Sequence, residues 1–315
     1  MNTPRWSRPL GRVGPLMWCA AVVSCAQLAP MPVGRYEFQA LAAGREIVVF
    51  GGMDSGSELV KEVDAYDVRR NRWSRRSSLP TPRYFLCGAT LEGRLYAIGG
   101  EDDNRETPPR AVVERYDPAT DRWERVADLP QPRTHAVAVA CDRKLYVIGG
   151  YRRGHGNLSD VDVYDPASNA WTPGPPLPLA THGIAAAAIG GAIHVAGGDA
   201  DPRLHLVLEE GRWRNRAPLP AGRLFAEAEE AGGRLYLVGG GSNDEEDAFR
   251  SVLEYDPGTD RWTRKSGAAT PRYHFETAAI EGRIFAMGGM GIREGDPRAL
   301  GSVGRYDPIA DRWSE

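Results

Sequence analysis

Residues Tyr116 to Trp123 read YDPATDRW, and nearly the same octet stands at Tyr164–Trp171 (YDPASNAW), Tyr255–Trp262 (YDPGTDRW) and Tyr306–Trp313 (YDPIADRW). A second mark, an apolar run closed by two glycines, occurs six times, at Gly51-Gly52, Gly99-Gly100, Gly149-Gly150, Gly197-Gly198, Gly239-Gly240 and Gly288-Gly289. Trp73, Trp123, Trp171, Trp213, Trp262 and Trp313 interleave with these pairs, and each Trp but the last stands 26 residues before the next pair. A third mark lies 16 residues before each pair: Arg35, Arg83, Arg133, Arg223 and Arg272, with Thr181 as the exception. The chain is therefore a six-fold internal repeat, and a repeat has to be recognised before any single segment is interpreted.

Within one repeat the local signals are those of strands. In RYFLCGATLEGRLYAIGG (Arg83–Gly100) an apolar run is broken by Glu-Gly and resumes at Leu95, as in a tight hairpin. A polar loop follows the glycines, then AVVERYD as a third short strand. Asp-Pro-Ala-Thr-Asp forms a turn, because Pro presets φ and Asp tolerates turn geometry. Trp123 opens a fourth strand that ends at Leu129-Pro130. Four short strands in a period of about 48 residues predict an all-β, six-bladed β-propeller with four antiparallel strands per blade. A blade cannot bury both faces alone, so the octet reads as a turn flanked by two aromatics that pack between blades. It is expected to be architecture, with no ligand of its own. The fourth copy is degenerate, LVLEEGRW (Leu206–Trp213), without Tyr-Asp.

Gly-Gly after an apolar strand, then Tyr-Asp, then Trp, with a Pro-Arg-type entry to each repeat, resembles the kelch repeat from Arg35 to Trp313. The resemblance implies a kelch β-propeller of the bacterial exported type. It leaves function open, because kelch propellers include adaptors and substrate receptors, actin-associated proteins, sugar oxidases and a sialic acid mutarotase. Thr181, the missing Tyr-Asp of copy four, and Ser266–Thr270 in place of Leu-Pro depart from the pattern. The copper ligands of a sugar oxidase match no motif here, and no cofactor is expected.

The 315 residues are almost used up by six blades, which predicts one domain over 35–315. The net charge of −3 argues against nucleic acid as a partner, since phosphate binding needs a basic face. Arg5, Arg8 and Arg12 precede VGPLMWCAAVV, an apolar run too short to span a bilayer, and Ser24-Cys25 follows. This pattern reads as a lipoprotein-type signal peptide over 1–24, with Cys25 lipidated and the protein exported, either membrane-anchored or periplasmic or extracellular. A cytoplasmic location is the alternative. Residues 25–34 are in register with the end of a repeat, so they are also expected to supply a strand that closes the ring. Cys87 and Cys141 read as small core residues.

Strand parity puts the residues after each Arg mark and the loops after each Gly pair on one face, where function usually sits on a rigid scaffold. Reading after the mark gives Tyr36-Glu37, Tyr84-Phe85, Thr134-His135, His182-Gly183, Leu224-Phe225 and Tyr273-His274. Tyr36, Glu37, Tyr84, Phe85, His135, His182, Phe225, Tyr273 and His274 are thus the expected ligand contacts. One pleat deeper, Glu227 and Glu276 share a repeat position with Gln39, and Glu229 stands nearby. Carboxylates crowded in a channel raise one another's pKa and serve acid–base chemistry, or hold a hard cation, though no metal site is assigned.

Two readings follow. The first is a non-catalytic module that binds a protein or glycan on its loop-rich face. The second is a carbohydrate enzyme of the sialic acid mutarotase kind, with Glu227, Glu276, His274 and His135 as acid–base candidates and Arg152 or Arg293 for a substrate carboxylate. An intracellular adaptor or substrate receptor is a third.

Overall fold

The computed structural model describes residues 27–102, 108–241, 250–291 and 298–315. Cys25, Arg293, the 1–24 segment and most of the acidic loops at 101–106 and 241–250 lie outside the described residues. Six four-stranded antiparallel sheets follow one another, each with its strands in chain order. In blade two these are Cys87–Leu91, Arg94–Ile98, Val113–Asp117 and Arg122–Arg125. The first strands, Gln39–Ala43, Cys87–Leu91, Val137–Cys141, Ala185–Ile189, Glu227–Ala231 and Glu276–Ile280, form the inner wall. Each lies beside the next, and the sixth returns to the first, so the ring is closed. Closure places the inner edges around one channel instead of leaving a sheet end open.

The core is a series of interblade layers. Val48, Phe50 and Val63 of blade one pack on Leu95, Ala97 and Tyr116 of blade two, and Ile98 and Val113 of blade two on Leu145 and Tyr164 of blade three. The octet proves to be the fastener of these layers. Its Tyr hydroxyl donates to the Asn or Asp five residues on, as Tyr116 does to Asp121 (2.7 Å) and Tyr255 to Asp260 (2.7 Å). The same carboxylate accepts an N–H from the preceding blade, Ser77 for Asp121 and Ala217 for Asp260. Trp123 and Trp262 donate their indole N–H to those residues' carbonyls at 2.9 Å. Even blade four, without Tyr-Asp, keeps the indole bond, from Trp213 to the Pro175 carbonyl.

The Arg marks are among the most deeply buried side chains, with Arg35, Arg83, Arg133, Arg223 and Arg272 between 0% and 2% exposed. Arg83 donates to the carbonyls of Thr81, Ala97 and Gly99 and to Glu114 (2.6 Å). Arg35 pairs with Asp64 (3.1 Å), and Arg133 with Asp162. Arg223 meets the Ser251 hydroxyl and Arg272 that of Ser302. Blade four has Thr181 for the Arg and Leu206 for the carboxylate, so the two charges are lost together. That is the expected outcome, because a lone buried charge is far costlier than a neutral pair. The Arg also ties the Gly-Gly strand end to its own blade. Both glycines of the pair have positive φ, and a Cβ on Gly100 would lie 2.7 Å from the Tyr84 carbonyl oxygen.

The ring seam differs from the expected strand at 25–34. Residues 27–34 hold no strand, and blade six draws its fourth strand from Arg312–Ser314. The outer edge is thus already occupied, and the segment instead fills the place that follows a fourth strand. Ala29 accepts the Trp73 indole N–H (2.9 Å) and donates its own N–H to Asn71 (2.6 Å), as Ser77 does for blade two. Met31 donates to the Gly301 carbonyl of blade six (2.7 Å), where Leu79 and Leu129 bond to Lys61 and Ala111 of their own blades. Leu28 and Met31 are buried with Phe38, Tyr66, Phe285 and Val303, so the segment stitches blades six and one.

Candidate ligand face and channel

The Arg marks and Gly pairs do share one face: Tyr84 bridges to Glu101, Tyr36 to Met53, Thr134 to Tyr151 and Leu224 to Gly241. Two small additional sheets stand on this face. One is a hairpin of Tyr151–Arg152 with Gly156–Asn157 on blade three. The other joins Arg272–Tyr273, Met290–Gly291 and Arg298–Ala299 on blade six.

The mouth itself is made by the second residue after each mark. Glu37, Phe85, His135, Phe225 and His274 all have φ between 51° and 54°, and Gly183 completes the set at 62°. A bulky side chain in the left-handed region is a genuine outlier. Here it is held by a chain of interblade bonds: the His135 N–H donates to Phe85, Gly183 to His135, Phe225 to Gly183 and Glu37 to His274. The conformation turns these five side chains toward the axis, where they meet. Phe85 lies on His135 with ring centroids 3.8 Å apart, His135 on Phe225 at 5.8 Å, and Phe225 on His274 at 5.4 Å. The His274 Nδ1 pairs with the Glu37 carboxylate. His182 fills the gap left by Gly183, within 5.7 Å of both His135 and Phe225. Burial and the neighbouring imidazoles lower the His135 pKa to about 3, so it is neutral.

The tyrosines of the expected contact set stand beside the collar and do not line the channel. The Tyr84 hydroxyl donates to Glu101 (3.0 Å), and the Tyr36 hydroxyl meets Met53 and Ser57. Tyr273 packs on His274. Arg152 donates to Gln131 (2.9 Å), away from the mouth. The left-handed collar was not read from the sequence. Its one legible sign was Gly183, the residue type that the backbone at this position prefers.

Below the collar runs a channel of about 510 Å³, in whose lining alanine, largely from the first strands, is the commonest residue. Its charged lining is one-sided: Glu37, Glu227, Glu229, Glu230 and Glu276, with no Lys or Arg among the described lining residues. Glu227, Glu276 and Gln39 meet as their shared repeat position required, and Gln39 Nε2 donates to Glu276 (2.9 Å). Glu229 accepts from the Thr277 hydroxyl (2.8 Å) and the Ala279 N–H (3.0 Å) of blade six. Burial pushes Glu227 and Glu276 well above the usual carboxylate range, and the neighbouring carboxylates push them further. Burial raises Glu229 to about 7, against the lowering effect of its two donors. Among the described residues no group of three His, Cys, Asp or Glu is arranged to hold a metal ion. Cys87 and Cys141 are buried free thiols, and burial lifts Cys87 to about 12, which keeps it unreactive.

Blades, collar and channel together define a closed six-bladed β-propeller whose loop face surrounds an aromatic and imidazole mouth. Residues 17–198 match the KLHDC2/KLHL20/DRC7 kelch-repeats domain, and residues 222–267 match the kelch motif. The chain belongs to the kelch-repeat family. It is 30% identical to human kelch-like protein 34 over 281 residues, covering 82% of this chain and 42% of that protein. It is also 30% identical to kelch-like protein 25 of Xenopus tropicalis, over 91% of this chain and 41% of that protein. The chain spans less than half the length of these curated relatives. The solved structure of YjhT superposes with a TM-score of 0.75 at 17% identity, covering 91% of this chain and 99% of that one, a likeness of fold.

Proposed function

We propose that this propeller is a binding module that grips a protein or glycan on its loop face, with the collar as the central contact. The observation that carries this reading is the set of five non-glycine residues held near φ +50° so that their side chains converge at the mouth. Backbone strain of this kind, roughly 1–3 kcal/mol per residue, persists where the surroundings over-determine it and clusters at ligand sites. Phe, His and Glu in that arrangement offer a stacking surface with a polar edge, suited to a sugar ring or an aromatic side chain.

Blade four shows that glycine is accepted at the position, so His135→Gly with Phe225→Gly should fold at least as well as the parent. Such a variant is expected to lose tenfold or more in affinity for ligands found with the parent on a glycan array or by pull-down, as for truncation of a central hot spot. Undiminished binding by the folded variant would sink this reading.

A second reading, acid–base chemistry on a sugar, is favoured by the elevated pKa of Glu227, Glu276 and Glu229. It predicts that the parent speeds anomer exchange of a free acidic sugar, followed by NMR, and that Glu227→Gln with Glu276→Gln abolishes the effect. Under the binding reading the same double variant keeps its ligand and gains stability at neutral pH. A carboxyl whose folded pKa is raised contributes stability below its unfolded pKa and loses it as pH rises. The gain in melting temperature should therefore be present at pH 7.5 and vanish below about pH 4.5, near the ordinary Glu pKa. Lipid anchoring through Cys25 fits either reading, because processing there leaves Gln27 onward to close the seam.

A further inference from the structure

We infer that the His194–His205 pair is a proton-sensitive latch between blades four and five, released by mild acid. Blade four is the copy with Thr181 in place of the buried Arg and without Tyr-Asp, and it carries both histidines in its core. His194 stands in Ala192–Ala196, where blades two, three, five and six have Tyr96, Tyr146, Tyr236 and Phe285 and blade one has Val48. His205 opens His205–Glu209, where all five other blades have Val. Strand alternation turns both side chains toward blade five, and they are only 4% and 2% exposed.

The hydrogen bonds fix their tautomers. His205 Nδ1 lies 3.0 Å from the Ala217 carbonyl, which only accepts, so this nitrogen carries the proton. His205 Nε2 is then a bare acceptor, and His194 Nδ1, 3.1 Å away, must donate to it. Ala217 is the interblade fastener itself: its carbonyl also takes the Trp262 indole N–H, and its N–H goes to Asp260. His205 meets Tyr255 edge-on at 4.4 Å and Trp262 at 5.1 Å, both from blade five.

One added proton places a charge in this apolar layer. A second leaves N–H facing N–H, with no acceptor between the rings. The charged groups acting on the pair are Arg216, which opposes protonation, and Glu209 and Asp260, which favour it. Glu209 is engaged by Arg216 (2.7 Å), and Asp260 by Tyr255 and Ala217. The face toward blade three is the apolar layer of Ile193, Val195, Leu206 and Leu208. Burial, the largest cause, lowers both imidazoles to about 4. A base whose folded pKa is depressed keeps its full stability above the unfolded value of about 6.5 and loses it as pH falls toward the folded value.

At pH 5.5 the linkage amounts to about tenfold in the opening constant for one histidine and about a hundredfold for both. Hydrogen exchange of the full chain, corrected for intrinsic rates, should show amides at Arg212–Asn215 and Val252–Asp256 losing protection by that order between pH 7.5 and 5.5. The other blades should change much less. His194→Tyr with His205→Val installs the residues of the other blades, and the pH-dependent loss should disappear. Equal loss in parent and variant overturns the latch. Should the variant not fold, imidazole NMR of the parent decides. Two neutral rings at pH 5.5 sharing one N–H, with selective opening below that pH, support the latch. Both rings protonated at pH 6 with protection intact overturn it.

Discussion

Arg83→Leu is expected to destabilise the chain by roughly 3–5 kcal/mol, read as a lowered midpoint in urea unfolding at pH 7.5. The side chain is fully buried, satisfies the carbonyls of Thr81, Ala97 and Gly99, and pairs with Glu114, itself buried. Removing the cation leaves a carboxylate in the interior that, among the described residues, keeps the Thr81 hydroxyl as its hydrogen-bond donor. Adding Glu114→Leu should recover a large part of the loss, because the uncompensated charge is then gone. Blade four already uses that solution, with Thr181 and Leu206 in the equivalent places. An unchanged midpoint for the single variant, or no recovery in the double, would show that the pair is not the structural unit described.

The second large effect belongs to the seam. A chain that begins at Gly34 loses Leu28 and Met31 from the layer between blades six and one, together with the bonds of Ala29 and Met31. Burial of two such side chains stabilises by about 1.5–3 kcal/mol each, so the expected loss is roughly 3–6 kcal/mol. Met31→Asp should reproduce much of it without shortening the chain. Trypsin cleavage would report local opening, with early cuts expected in blades one and six. Identical unfolding midpoints for the full and shortened chains would mean that the first-strand contact alone closes the ring.

The repeat was legible because its marks are covalently spaced. Trp to Gly pair, and Arg to Gly pair, keep constant intervals since the strands between them cannot change length without losing register. That spacing also placed Glu227, Glu276 and Gln39 together and put the loops on one face. The mouth was legible only in part. The sequence shows which residues follow each Arg, but not that Tyr36 and Tyr84 stay out of the channel lining while the next residue enters it. That choice depends on a left-handed backbone maintained by bonds from the neighbouring blade, a tertiary constraint that no local propensity reports.

The His pair was hidden for a similar reason. His194 and His205 are 11 residues apart and belong to two strands, and only the pairing of Ala196 with His205 and of His194 with Val207 sets them on one face. The seam segment showed its register through Cys25 and Ala29, four residues apart like each Trp and the residue that fastens the Trp of the next blade. Whether that register meant a strand was decided by Arg312–Ser314 already holding the edge.

By itself, then, the sequence determined the number of blades, the strand order within each, the fastening role of the octet and the face that carries the loops. All of these follow from periodic patterns with a local physical meaning. The tertiary structure decided the collar, the elevated pKa of the channel carboxylates, the pairing of buried Arg with its acid and the imidazole latch. Each of these depends on side chains from different strands, and in the collar and channel from different blades, meeting at a distance of a few ångströms, which spacing along one chain does not encode.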